Sequence, residues 1–203
     1  SVRSAVVLLI GAERKNQMKN KLIEMVGIPG TGKSYLFRKI NLVGINYIEF
    51  GKEFKDWIAN NNFNGQSQIV PDAPREKVLE FLNGVIAKRQ PGILTSHVIH
   101  YDGKDFVYDH DLELHTASKG YIYIFSDPKD ILKRRYGDND SCTKTRVIEP
   151  LEIIFKHQEL SLNYTQQLAL ETNSKFLKLD NRLDNEEQNL NCIRSFIKEV
   201  LDL

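Results

Sequence analysis

Residues Gly27 to Ser34 read GIPGTGKS: a glycine, four residues, then Gly-Lys-Ser. That spacing suits an anion. Gly27, Gly30 and Gly32 let the backbone turn tightly enough to aim several N–H groups at one phosphate. A helix beginning near Lys33 adds the positive end of its dipole. Lys33 then supplies a mobile charge for the β- and γ-phosphates, and Ser34 a hydroxyl ligand for Mg²⁺. The expected nucleotide contacts are Gly27, Ile28, Pro29, Gly30, Thr31, Gly32, Lys33, Ser34 and Tyr35, with ATP as co-substrate and Mg²⁺ as cofactor.

Phosphoryl transfer passes through a loose, highly anionic transition state, so it needs positive charge more than a covalent nucleophile. Arg134 and Arg135 stand at the expected end of a helix, bordering the polar segment Gly137 to Thr145, and Lys144 and Arg146 bound its far side. Cations flanking a polar segment suit a lid that closes over a triphosphate and excludes water. Arg135 and Arg146 are the candidates for catalytic charge, and Arg134 for nucleotide binding. Neighbours on a helix point about 100° apart, so one of Arg134 and Arg135 is expected only to satisfy the helix terminus. Arg75 begins a helix after an Asn-rich loop and can meet a second phosphate; an ordinary exposed charge is the plainer alternative. His97 follows a strand end beside the nucleotide site, where it can orient substrate or bond Thr95 as a buried polar group. His100, His110, His115 and His157 show no metal-ligand spacing.

These residues need a scaffold. Leu22 to Val26, apolar but for Glu24, predicts a central strand entering the glycine loop, with Ser34 to Ile40 as helix after it. Tyr47 to Phe50 reads as strand, and Gly51 opens a helix whose Phe54, Trp57 and Ile58 recur at core spacing rather than as a base-stacking platform. Asn60 to Ser67 is loop, Pro71 to Pro74 prepares a helix from Arg75 to Lys88, and Val78, Leu82 and Ile86 give it one buried face. Ile93 to Ser96 is the next strand. Asp102-Gly103 predicts a hairpin joining Val98 to Tyr101 with Phe106 to Tyr108. A strand over Tyr121 to Phe125, a helix over Asp130 to Tyr136, a long helix from Leu151 toward Thr172 and a strand over Phe176 to Leu179 follow. Ile193, Phe196, Ile197 and Leu201 line a terminal amphipathic helix. Such alternation predicts an α/β, doubly wound parallel sheet covered on both faces, with ligand at the carboxyl ends of its strands.

Length and charge fit that reading. The 203 residues suit one domain, and 28 Lys+Arg against 27 Asp+Glu leave no global field to recruit nucleic acid or an anionic membrane. Cys142 and Cys192 lie far apart without a Cys-x-x-Cys pair, which suits a reducing cytoplasm. Ala5 to Ile10 is far shorter than the ~20 apolar residues of a bilayer span. Met18 is a natural start, so residues 1–17 read as an extension of unassigned role and 18–203 as a single P-loop kinase domain.

GIPGTGKS, the strand end Thr95-Ser96-His97 before a hairpin, Ile131-Leu132-Lys133-Arg134-Arg135 before a short lid, and His157-Gln158 in the following helix together carry a resemblance. From about Lys21 to Asn181 the chain resembles the archaeal-type adenylate kinases of the nucleoside monophosphate kinase family, and the related adenylate-kinase-fold ATPase of ribosome assembly. The resemblance implies the P-loop nucleoside triphosphate hydrolase fold, with a small monophosphate-binding lobe over 51–75 and a short lid over 137–146. It places Lys33 and Ser34 on the ATP phosphates and Mg²⁺, Gly51 and Arg75 in the lobe, and Arg134, Arg135 and Arg146 in or beside the lid. The chain departs at Thr95, where such families usually carry an Asp, at Leu162, where a basic residue is expected, and in having fewer lid arginines. The expected reaction is ATP + AMP giving two ADP. A slow ATPase switching an assembly partner, RNA or protein, and a kinase of another small molecule are the alternatives. No Asn-Lys-x-Asp guanine motif points to a GTPase.

Overall fold

The computed structural model describes residues 21–63, 73–88, 90–108, 115, 117–141, 146–182 and 185–203. The extension 1–17, Met18, Pro71-Asp72, His110, Cys142 and Lys144 lie outside them, as do 64–72 of the expected lobe and 142–145 of the expected lid.

In chain order the elements are β1 (Leu22–Val26), α1 (Lys33–Lys39), β2 (Asn46–Glu49), α2 (Phe50–Asn60), α3 (Arg75–Lys88), β3 (Gly92–Ser96), β4 (Ile99–Tyr101), β5 (Phe106–Tyr108), β6 (Ser118–Phe125), α4 (Pro128–Asp140), α5 (Leu151–Glu171), β7 (Lys175–Asp180) and α6 (Glu186–Leu201). Among the described residues β2-β3-β1-β6-β7 form one sheet, every neighbouring pair parallel. β1 lies at its centre, so the glycine loop leaves from the middle of the sheet's carboxyl edge. Alternation along β1 sends side chains to opposite faces. Ile23 and Met25 join Leu36 and Phe37 of α1 and Ile193 and Ile197 of α6. On the other face Leu22 packs with Phe54, Ile58, Leu82 and Ile86 of α2 and α3, and Val26 with Tyr121, Tyr123 and Leu168. A strand buried on both faces must be apolar in both registers, and β1 is, but for one residue.

That residue is Glu24. It is fully buried, and its carboxylate accepts from Ser96 Oγ at 3.1 Å, from Ser118 Oγ and from His115 Nδ1 at 3.2 Å. Burial pushes the carboxyl up, but the His115 charge and these hydrogen bonds outweigh it and hold it below the usual range.

The aromatic spacing of α2 builds core, as expected: Phe54 stacks on Phe50 at 5.7 Å and on Trp57 at 5.6 Å, and Phe81 of α3 closes the cluster at 5.1 Å from Trp57. The hairpin also forms. Gly103 has φ +100°, and Asp102 accepts two backbone N–H bonds at 2.8 Å across the turn.

Several boundaries differ from the sequence reading, among them the start of β6, which lies at Ser118 rather than Tyr121. Phe50 opens α2 instead of ending β2. More consequentially, α4 runs from Pro128 to Asp140, so Arg134 and Arg135 sit mid-helix and the first residues read as lid, Gly137 to Asp140, are helical. The Asp127 carboxylate caps the start by accepting the Lys129 amide at 2.8 Å, and Pro128 occupies the first turn. The far end was illegible because an arginine holds the buried position: Arg135 is 1% exposed, so apolar periodicity does not extend along the helix.

Candidate active site

The glycine loop is held from three directions. The Thr31 carbonyl accepts from Asn181 Nδ2 at 2.8 Å, from Ser126 Oγ at 3.2 Å and from Arg134 Nη1 at 3.2 Å, which ties the loop to the ends of β6 and β7. Arg134 also reaches Ser126 Oγ at 2.9 Å and Asn181 O at 3.3 Å. From the other side Arg135 donates through Nε and Nη2 to Pro29 O, at 3.1 and 2.9 Å, and through Nη1 to Val147 O at 3.2 Å. Its Nη1 lies 3.1 Å from Glu149, itself buried. Both arginines thus grip the loop's backbone; neither serves the end of its own helix.

Gly32 caps α1 at φ +91°, and its carbonyl accepts the Tyr35 and Leu36 amides, each at 3.1 Å. A Cβ there would lie 2.4 Å from Asn181 Nδ2. An alanine at this position is strained in the left-handed region and drives Asn181 from Thr31 O. Gly32→Ala is therefore expected to weaken ATP binding at least about tenfold, read by titration of a fluorescent ATP analogue; unchanged affinity refutes the role of this junction.

Lys33 is 6% exposed and folds back over the loop, its ammonium on Gly27 O, on Ile28 O at 3.1 Å and 3.5 Å from His97 Nδ1. The His97 ring packs edge-on to His100 at 5.7 Å. His157 on α5 donates from Nε2 to Ile99 O at 3.0 Å. Burial, with the Lys33 charge beside it, holds His97 well below the ordinary histidine range. Burial, His157 and Lys33 bring His100 to about 4, and burial also lowers His157. All three are neutral at pH 7.

One cavity of about 1270 Å³ joins these groups. The glycine loop, α1 and α4 contribute Gly30, Gly32, Lys33, Ser34, Tyr35 and Arg134; α2 contributes Gly51, Lys52, Phe54 and Lys55; Thr95 of β3, with His97, His100 and His157, completes the lining. Arg135, Arg146 and Glu149 border it on the side of the expected lid. Eight cationic side chains against five carboxylates give the lining a net positive charge, which suits polyphosphate. Arg146 reaches its edge while bound through Nε to Asp138 at 2.9 Å. Tyr35 bonds Glu186 through its hydroxyl at 2.5 Å and lies beneath Lys39.

The structure brings together all the singled-out residues except two kinds. Gly27, Ile28 and Thr31 shape the loop from beneath rather than line the cavity, and Arg75 stands exposed at the start of α3, outside the lining. Sequence reasoning passed over Arg38, Lys52, Lys55 and Glu149. The lysines are ordinary exposed charges on a helix face in sequence, and only Glu149's three-residue distance from Arg146 hinted at a lid stem.

Among solved structures the chain resembles a shikimate kinase from Acinetobacter baumannii in complex with shikimate, at 14% identity and TM-score 0.51, over 88% of this chain and 94% of that one. A shikimate kinase from Bacteroides thetaiotaomicron matches at 13% identity and TM-score 0.52, over 90% and 98%. A putative kinase from Chloroflexus aurantiacus matches at 14% and 0.53, over 91% and 100%. These likenesses establish the P-loop kinase fold. No curated protein matches the sequence. A family model described as an AAA domain matches residues 26–154, from the end of β1 through the glycine loop and both arginines of α4 into α5. That match spans more than half of the chain, which therefore belongs to the AAA domain family of P-loop proteins.

Proposed function

We propose that this protein transfers the γ-phosphoryl group of ATP to a nucleoside monophosphate, ATP + AMP giving two ADP. The observation that carries this reading is a single cavity with cations from two separate elements: Lys33 and Arg38 from the glycine loop and α1, and Lys52 and Lys55 from α2. A neutral acceptor needs only the first set; an acceptor that brings its own phosphate needs the second. Gly51 leaves open space on that wall, where a Cβ would meet nothing within 4 Å. An adjoining cavity of about 790 Å³ is lined by Asn60 and by Tyr47, Trp57 and Phe81, which are only partly buried: their packed sides belong to the core, and the surface left open would meet a nucleobase.

In this reading Lys33 leaves its carbonyl partners for the phosphates, and positioning with charge stabilisation does the rest without a protein nucleophile. Ser34 and Thr95 line the cavity with Lys33, and their hydroxyl oxygens would hold Mg²⁺, a hard cation that takes oxygen ligands. Bound there, Mg²⁺ would offset charge between the β- and γ-phosphates. His97 orients the acceptor, and Arg75, exposed at the start of α3, is assigned to its phosphate. Arg146 exchanges Asp138 for the transferring group, and Arg135 holds the loop beneath it. Arg146→Ala is expected to lower kcat about tenfold or more with ATP affinity nearly unchanged; a loss confined to affinity makes its role ground-state binding.

The test is product analysis after mixing ATP with AMP, CMP, GMP or UMP. Transfer to none of them sinks this reading. Thr95, in place of an acid near the metal position, favours a second one, a slow ATPase acting through a partner. Hydrolysis stimulated by RNA or protein, without transfer to any monophosphate, is its signature. Among the described residues no helix is long and apolar enough to cross a membrane.

A further inference from the structure

Buried polar atoms without a partner are rare in folded proteins, and each asks for an explanation. Among the described residues His100 Nε2 and His157 Nδ1 are such atoms, Glu149 Oε2 has no hydrogen bond beyond its ion pair with Arg135, and all three residues line the same cavity as Lys33.

Their hydrogen-bonding capacity can be read. His157 Nε2 faces Ile99 O at 3.0 Å, and a carbonyl can only accept, so Nε2 carries the proton and Nδ1 presents a bare lone pair. His157 is 1% exposed, so bulk water does not serve that lone pair. Glu149 lies 3.1 Å from Arg135 Nη1, within ion-pair reach, yet that nitrogen bonds Val147 O at 3.2 Å and the carboxylate oxygen has no hydrogen bond of its own. Two acceptors in one cavity call for donors. A phosphate dianion has none and is repelled by Glu149. An ammonium has several but meets Lys33 and Arg135 in the same lining. A hydroxyl donates without charge.

We propose that His157 and Glu149, with His100 beside them in the same cavity, form a seat for hydroxyl groups of the phosphoryl acceptor, one donating to each accepting atom, so that these residues select among phosphoryl acceptors. The inference rests on the phosphoryl-transfer reading above and adds the acceptor's chemistry to it. The hydroxyls have two possible sources, the ribose of a monophosphate or the alcohols of a small acceptor without phosphate.

The test uses the full chain labelled with ¹⁵N in histidine and saturated with Mg²⁺ and a non-hydrolysable ATP analogue. AMP, 2′,3′-dideoxy-AMP and shikimate, a hydroxylated molecule without phosphate, are added in separate arms. A bare imidazole nitrogen moves upfield when it accepts a hydrogen bond. The expected result is that the His157 Nδ1 resonance moves with AMP and stays with dideoxy-AMP, which assigns the donor to the ribose. Movement with shikimate and not with AMP keeps the seat and overturns the monophosphate reading. A resonance that moves with none of the three, or equally with AMP and dideoxy-AMP, overturns the seat. In parallel, His157→Phe keeps a ring in place and removes both nitrogens. It is expected to raise KM for AMP about tenfold and to erase the preference for AMP over dideoxy-AMP, with ATP affinity retained. An equal loss for both acceptors marks a merely structural role and refutes the proposal.

Discussion

Lys33→Ala is expected to lower phosphoryl transfer by about 10²–10³-fold while the protein stays folded, with Tm within about 3 °C of the parent. The lysine is buried at 6% exposure, yet it rests on the carbonyls of Gly27 and Ile28 rather than filling the core. Removing it deletes a desolvated cation along with those bonds, and the two effects on stability oppose each other. In the transition state nothing offsets the loss. Charge accumulates on the transferring group, and a preorganised cation in a water-poor cavity is worth several times what it is in water. Steady-state turnover and thermal melting on the same preparation check this. Normal turnover would mean that the glycine loop does not hold the reacting phosphates.

Arg135→Ala should act in the opposite way, through stability first. The guanidinium is 1% exposed, its donors are spent on Pro29 O and Val147 O, and Glu149 beside it is 7% exposed. Truncation leaves a buried carboxylate unpaired, which costs about 3–5 kcal/mol, and a chain of this size loses about 10 °C in Tm. It also frees Pro29, so the loop loses one of its supports and ATP affinity falls. The double variant Arg135→Met with Glu149→Leu removes both charges at similar volume, and its Tm is expected to recover most of the difference. ATP affinity should stay low, because the Pro29 strut is still missing. A melting temperature unchanged in Arg135→Ala would show that the ion pair contributes nothing to the fold.

How much was legible depended on how local the cause was. The glycine loop, the hairpin at Asp102-Gly103 and the buried faces of α2 and α3 are set by turn chemistry and by apolar spacing within a few residues, and each formed where the pattern placed it. The end of α4 was missed because its inward position is filled by Arg135, a residue that reads as solvent-facing until its partners Pro29 and Glu149 are seen around it. Arg38, Lys52 and Lys55 were missed for the mirror reason: nothing within their own helices distinguishes a lysine that faces a cavity from one that faces water.

The sequence by itself determined that a phosphate-binding loop sits between a central strand and a helix, within a doubly wound α/β chain, because those features depend on neighbours in the chain. The tertiary structure alone decided which charges meet. It spent Arg134 and Arg135 on holding the loop, set Arg146 against Asp138 at the cavity's edge, gathered three neutral histidines beside Lys33, and buried Glu24 under two serines and His115. Pairings of that kind join residues tens of positions apart, and burial and distance in the folded chain, which no local pattern encodes, govern their strength.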